Sequence, residues 1–190
     1  MITALDERTA LILIDLQKAI TQRPIPAMPV VVKNAAALAA AFRKASLPVI
    51  VVNVNPANAK WTSSRKDTQA TATVADPEGI AITPEINVQS SDILITKHTW
   101  GAFFETGLHE ILQKLRVTGI VLAGVATSIG VEGTARQASE LAYNLSFAED
   151  AMTDAFPEAH AHSLKYIFPR IGEVGTTAGI IEKLSSAAAG

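Results

Sequence analysis

Two charged residues each follow directly on a short apolar run with the composition of a buried strand. Asp15 closes the run Thr9–Ile14, and Lys97 closes the run at residues 92–96. Such continuous apolar runs fit strands that are buried on both faces of a parallel sheet. Because parallel strands share one carboxyl edge, where ligands bind, the two side chains are candidates for acid–base chemistry. The alternative for Asp15 is a solvated loop acid or a helix cap, and the adjoining sequence does not decide between them.

The stretch from Gly119 to Ala138 has the pattern of a strand, a tight turn and a helix. Its apolar beginning at residues 120–123 fits another buried strand, which breaks at Gly124. After the turn, small and apolar residues recur at helical spacing. We expect Thr127 or Ser128 to cap this helix. The free N–H groups at the helix start then suit a developing negative charge.

One glycine in the first turn of this predicted helix is unusual. Gly130 costs a helix up to about 1 kcal/mol relative to alanine. One explanation is structural: a close backbone contact or a later helix start. Considered alone, the glycine is better explained in this way. The functional explanation is that a side chain is absent there to make room for a ligand.

The alternation of strand and helix patterns predicts an α/β fold in one domain spanning residues 1–190. We expect a doubly wound, mainly parallel sheet of five or six strands with helices on both faces, a Rossmann-like three-layer sandwich. The predicted strands are Thr9–Ile14, Val49–Val54 and residues 92–96, 120–123, 145–148 and 171–174. The predicted helices are residues 30–45, 104–115, 131–142, 157–168 (ended by Pro169) and 177–184, the last capped by Thr176 or Thr177.

The segment at residues 56–91 is the least regular part of the chain and contains Trp61 and Arg65. A loop of this length in a compact domain is often a lid or a binding segment, and we expect it to set specificity. Arg65 is suited to pair with a carboxylate ligand, but such an arginine is more often a solvated surface residue.

Other polar and aromatic residues lie near the predicted strand ends. Asn53 and Asn55, at the end of the second strand, are placed to hold a polar ligand. Amides are poor metal ligands compared with Asp or His, so we expect no metal and no cofactor. Trp100 and Phe103 follow Lys97 in a chain with few aromatic residues, and they either line a pocket or belong to the core.

Composition excludes several classes of function. The net charge is −2 with no basic stripe, so we expect no nucleic-acid partner. The chain has no cysteine, which rules out disulfides, thiolate metal sites and a cysteine nucleophile. No apolar run is long enough for a membrane span, and the N-terminus has no signal-peptide pattern, so we expect no membrane partner and a cytoplasmic protein.

Four segments together resemble the isochorismatase-like hydrolase superfamily, also called the cysteine hydrolase family. They are Ala10-Leu-Ile-Leu-Ile-Asp-Leu-Gln17, Ile95-Thr-Lys-His-Thr-Trp-Gly-Ala-Phe-Phe-Glu-Thr-Gly-Leu108, Leu122-Ala-Gly-Val-Ala-Thr-Ser-Ile-Gly-Val-Glu-Gly-Thr-Ala-Arg136 and Asp150-Ala-Met-Thr-Asp154. Each segment is a weak signal alone, but their order and spacing cover nearly the whole chain.

The resemblance implies a catalytic Asp, Lys and Cys, matched by Asp15, Lys97 and, at the cysteine position, Gly130. It also implies a cis peptide between Val125 and Ala126, and metal ligands near the two asparagines in the nicotinamidase branch. The candidate substrate-binding or oxyanion residues are Gln17, Asn53, Trp100, Phe103, Val125, Ala126 and Thr127.

True isochorismatases resemble this chain in lacking the cysteine. They cleave a vinyl ether, with Asp15 here as the expected general acid and Lys97 orienting it or binding a substrate carboxylate. A nearby ammonium favours an ionised Asp15, whereas a general acid must hold its proton, so desolvation has to prevail. A hydroxyl nucleophile at Thr127 or Ser128 is disfavoured, because no histidine is evidently placed to activate it.

Two alternatives remain open. One is a catalytically inactive, small-molecule-binding relative of cysteine amidases, in which Asp15 and Lys97 form a structural ion pair. The other is a hydrolase that uses directly activated water on another small amide or ester. The resemblance also implies a homodimer or homotetramer acting on a small-molecule substrate.

Overall fold

The computed structural model describes residues 1–25, 27–57, 59, 64–67 and 76–187. One sheet of six strands runs through the molecule in the order β3-β2-β1-β4-β5-β6, and every pairing within it is parallel. The strands are β1 (Thr9–Ile14), β2 (Val49–Val54), β3 (Ile93–Lys97), β4 (Gly119–Val125), β5 (Asn144–Thr153) and β6 (Glu173–Gly175). The predicted α/β class and doubly wound sheet are confirmed.

Helices lie on both faces of this sheet. They are α1 (Lys18–Thr21), α2 (Met28–Lys44), α3 (Pro77–Ile80), α4 (Leu108–Lys114), α5 (Glu132–Glu140), α6 (Pro157–His162), α7 (Phe168–Ile171) and α8 (Thr177–Ala187). A short 3-10 turn spans Pro84–Ile86, and wide π-type turns span Thr127–Val131 and Ser163–Ile167. None of the described helices is both long and apolar enough to cross a membrane.

The central strands β1 and β4 contain no polar side chain apart from Thr9, because both of their faces are covered. Every residue of β1 and β4 is buried. Alternate β1 residues point into two separate cores, one built with α2 and α8 and the other with α4, α5 and α7. Burial on both faces explains why these strands lack the alternation of a half-exposed sheet.

The sheet changes direction of winding between β1 and β4. Starting from β1, the chain builds β2 and β3 on one side and then returns to place β4, β5 and β6 on the other. The carboxyl ends of β1 and β4 are therefore neighbours at the switch point, where open α/β sheets bind ligands. Both Asp15 and the turn after β4 lie at this position.

Several predicted boundaries need correction. The predicted strand at residues 92–96 begins and ends one residue later, and β5 runs on to Thr153, so Asp150 lies inside it. Pro169 does not end a helix but lies in the first turn of α7, where its missing N–H costs no intrahelical bond. Trp61 lies outside the described residues, whereas Arg65 lies within them and is exposed.

Candidate functional site

The backbone at Asp15 turns sharply as β1 ends. Asp15 has a positive φ of 53°, which is uncommon for a residue other than glycine. Its N–H still donates to the Val52 carbonyl at 2.9 Å, which continues the pairing with β2. The residue is buried, with 5% of its surface exposed. One carboxylate oxygen, Oδ1, is buried and has no hydrogen-bond partner among the described residues.

Lys97 reaches the same point from the edge strand β3. It is the last residue of β3 and is 1% exposed. Its Nζ lies 2.8 Å from Asp15 Oδ2 and donates a second hydrogen bond of 2.6 Å to the carbonyl of Trp100. The structure thus brings the two predicted residues into a buried ion pair.

The turn after β4 packs directly against the end of β1. Gly124 has a φ of 123°, and a Cβ on it would overlap the backbone of Ile14, so only glycine allows the two strands this approach. The Val125–Ala126 peptide is cis, as the resemblance implied. Beyond it the chain makes a wide turn in which the N–H of Val131 donates to the carbonyl of Ala126 at 3.1 Å.

Gly130 lies in this wide turn and faces the ion pair. A Cβ built on it would lie 3.2 Å from Asp15 Oδ2, 3.3 Å from Lys97 Nζ and 2.9 Å from Ile14 Cγ2. A side chain at this position would therefore point onto the paired charges. The three residues expected to act together from sequence do meet at one place.

Burial and the ammonium act on Asp15 in opposite directions. Removal of the carboxylate from water raises its pKa, while the charge and hydrogen bond of Lys97 lower it. Burial prevails, and the pKa of Asp15 lies at about 6. The carboxyl therefore holds its proton far more readily than an exposed aspartate does.

A second set of contacts holds the other side of the turn, and the sequence did not predict it. Neither predicted cap forms: the Thr127 hydroxyl lies 2.8 Å from Nδ1 of His160, and Ser128 donates from its N–H and its hydroxyl to Asp154 Oδ2, both at 2.8 Å. The expectation that no histidine lies near these hydroxyls was wrong. The available signal was that Asp154 and His160 follow the carboxyl end of β5, the neighbour of β4.

The polar candidates Gln17, Asn53 and Asn55 differ in the hydrogen bonds that their side chains make. The Gln17 amide is buried and bonded at both ends to the backbone of Val54. The Asn53 amide nitrogen donates to the Ile80 carbonyl at 3.2 Å, and its Oδ1 is buried without a partner in the described part of the chain. Asn55 accepts a bond from the N–H of Ala57. Gln17 therefore links the end of β1 to β2, and Asn53 keeps an acceptor that no described residue uses.

The aromatic candidates Trp100 and Phe103 lie in the segment between β3 and α4, just after Lys97. The carbonyl of Trp100 accepts the hydrogen bond from Lys97, and the residue as a whole is 58% exposed. Phe103 is half-buried and stacks on Tyr143 with ring centroids 6.0 Å apart. Of the two aromatic candidates, Trp100 is the one that the described hydrogen bonds connect to the ion pair, through its carbonyl and Lys97.

Within the described ranges, no group of three or more His, Asp or Glu side chains is arranged to hold a metal ion. Asp150 accepts two bonds from Thr177 at the start of α8. The chemically distinctive feature of this edge is thus the buried Asp–Lys pair under the turn.

Comparison with known proteins identifies the class that has this fold. The isochorismatase domain model matches residues 9–179. The uncharacterized isochorismatase family protein YwoC of Bacillus subtilis is 40% identical over 181 residues, covering 94% of this chain and 95% of its own. The uncharacterized family protein YecD of Escherichia coli O157:H7 is 38% identical over 188 residues, covering 93% and 96%.

A solved structure agrees with these relatives. The isochorismatase family protein from Burkholderia thailandensis superposes with a TM-score of 0.92 at 39% identity, covering 97% of this chain and all of that one. The fold and the buried pair therefore define an α/β protein of the isochorismatase-like hydrolase class. The chain belongs to the isochorismatase family.

Proposed function

We propose that this protein hydrolyses a small enol ether such as isochorismate, with Asp15 as the general acid. The observation that carries the proposal is the arrangement of the Asp15 carboxyl: Oδ2 is held by Lys97, Oδ1 is buried without a hydrogen-bond partner among the described residues, and Gly130 places no side chain against the pair. The free oxygen is the one that can carry and deliver a proton.

The reaction needs no nucleophilic side chain, which suits a chain without cysteine. Asp15 transfers its proton to the terminal methylene carbon of the vinyl ether, which leaves an oxocarbenium ion. Water adds to the cationic carbon and returns a proton to the carboxylate. The hemiketal then collapses, its C–O bond breaks, and pyruvate and a ring alcohol are released.

The raised pKa of Asp15 makes this role accessible at neutral pH. With a pKa of about 6, about a tenth of the molecules hold the proton at pH 7. An aspartate with an ordinary pKa near 4 would be protonated on the order of a hundred times less often at that pH. Burial thus supplies the protonated acid that the step requires.

Lys97 fixes the acid and has donor capacity left. An ammonium has three donors, and the described contacts of Lys97 Nζ are Asp15 Oδ2 and the Trp100 carbonyl. The remaining N–H is available to a substrate carboxylate. The turn at Val125, Ala126 and Thr127 would position the attacking water or a substrate oxygen.

The test is pyruvate release from isochorismate by the wild type, Asp15→Ala and Asp15→Asn. The amide variant keeps the size of the side chain but cannot deliver a proton. We expect release by the wild type and a loss of at least a hundredfold in both variants. Release by all three would exclude Asp15 as the acid. Release by none would favour another small substrate or a binding role.

A further inference from the structure

We propose that His160 is a positioning residue for the catalytic turn, acting through the hydroxyl of Thr127. His160 lies on α6, outside the Asp15–Lys97–Gly130 site, and its partner lies in the turn that covers that site. The proposal rests on the proposed function for its activity measurement only. Its structural part is tested independently below.

The contact is a hydrogen bond made by a fully buried hydroxyl. Thr127 is 0% exposed, and its Oγ1 lies 2.8 Å from His160 Nδ1. A buried hydroxyl that loses its partner is costly, because water cannot replace the bond. The imidazole thus fixes the orientation of Thr127, the residue next to the cis peptide.

The same segment of the chain also holds the next residue of the turn. Asp154 Oδ2 accepts both bonds from Ser128, and Asp154 Oδ1 accepts the N–H of Phe156 at the start of α6. At the far end, the Gly130 carbonyl accepts the Thr134 hydroxyl at 2.7 Å. Hydrogen bonds to Thr127, Ser128 and Gly130 therefore hold the turn over the ion pair. The bond to Thr127 involves an imidazole, whose nitrogen Nδ1 changes from acceptor to donor when the ring is protonated.

The surroundings of His160 favour the neutral imidazole. Partial burial lowers its pKa from the ordinary value, and this outweighs the carboxylates of Asp154 and Glu149, which raise it. His160, Asp154 and Glu149 line a cavity of about 430 Å³. Asp150, also on β5, lines it too, but its carboxylate accepts a hydrogen bond from the N–H of Thr177. The described residues that line it before and along α2 are apolar: Ile25, Ala27, Val30 and Val31. On α6 itself, Glu158 and His162 are exposed.

Protonation of His160 reverses the direction of this bond. Neutral Nδ1 can accept the hydroxyl proton of Thr127, whereas imidazolium has only donors. The buried hydroxyl must then accept and turn its own hydrogen towards another group. We infer that acidification through the pKa of His160 loosens the turn and lowers activity, giving an acid limb separate from the alkaline limb of Asp15.

The first test is the pH profile of kcat for His160→Asn and His160→Leu. Asparagine keeps a short hydrogen-bonding group near Nδ1 but does not titrate. We expect it to keep kcat within about threefold near the optimum and to lose the acid limb. Leucine should lower kcat at least tenfold with little change in KM. The matched control is His162→Asn, an exposed histidine two residues further along α6 that points in a different direction, and it should leave both limbs unchanged.

A second measurement needs no turnover. Nitrogen-detected NMR of the imidazole should show the Nε2–H tautomer, with Nδ1 unprotonated. Thr127→Val should raise the pKa of His160, because the lost bond favoured the neutral ring. The backbone amides of residues 126–130 should shift with the titration of His160.

The outcomes separate this proposal from the proposed function. Amides that follow His160 in a protein that releases no pyruvate support the coupling and count against the enol-ether chemistry. An acid limb that persists in His160→Asn, a fully active His160→Leu, an Nδ1–H tautomer or amides that ignore His160 would overturn the proposal.

Discussion

Replacement of Gly130 by alanine separates the role of this position in folding from its role in chemistry. The methyl group would stand 3.2 Å from Asp15 Oδ2 and 3.3 Å from Lys97 Nζ. These contacts are tighter than ordinary van der Waals contacts, so the carboxyl and the ammonium must shift by a few tenths of an ångström. A displaced acid is no longer aligned with the reacting carbon, so we expect kcat/KM to fall at least tenfold, or about 1.4 kcal/mol.

Stability should change little in the same variant. Alanine is favoured over glycine in a helical turn by up to about 1 kcal/mol. Against this, the new Cβ would lie 2.9 Å from Ile14 Cγ2, and the displaced methyl costs on the order of 1 kcal/mol. The two effects oppose each other, so the melting temperature should stay within about 4 °C of the wild type.

The assay combines thermal unfolding, pyruvate release and carboxyl NMR of Asp15. The added methyl lies against the Asp15 carboxylate and shields it further from water, so the pKa of Asp15 should rise above 6. Gly179→Ala is the matched control, because its Cβ would meet nothing closer than 3.5 Å in the remote helix α8. A folded Gly130→Ala protein with wild-type turnover would refute the idea that the placement of the ion pair controls turnover. A large loss of stability would show that the contact with Ile14 costs more than the helix propensity of alanine returns.

Three further predictions test the supporting contacts. Lys97→Met should move the pKa of Asp15 and the alkaline limb of kcat/KM above pH 6, because the ammonium lowers that pKa; a limb at lower pH would contradict this. Gln17→Leu should lower the free energy of unfolding by about 2–4 kcal/mol in urea titrations, because two buried hydrogen bonds to the β2 backbone are lost; a loss below about 1 kcal/mol would show that the pairing is dispensable. Arg43→Met should cost about 3 kcal/mol, because it leaves the buried carboxylate of Asp92, now paired at 2.7 Å, without its partner. Activity per folded molecule should not change in that variant, and a selective loss of turnover would show that this remote pair influences the site.

Local patterning explains why much of the fold was predictable. The apolar runs of β1 and β2 gave their bounds correctly, because strands buried on both faces leave an uninterrupted signal. The ends were less secure where propensity and packing disagree. Pro169 signals a helix end in sequence, yet it lies in the first turn of α7 because the first turn tolerates a missing N–H.

The sequence by itself determined which residue types stand at the carboxyl ends of the strands: Asp15 after β1, Lys97 at the end of β3, and glycine at position 130. Those positions follow from hydrophobic periodicity and from the shared direction of parallel strands. Only the tertiary structure decided that Asp15 and Lys97 meet at 2.8 Å and that burial outweighs the ammonium in setting the Asp15 pKa. Distances between distant segments and the loss of water around a charge depend on how the whole chain packs, and no local pattern encodes them. The bond between Thr127 and His160 has the same origin, since it exists only because β5 lies beside β4.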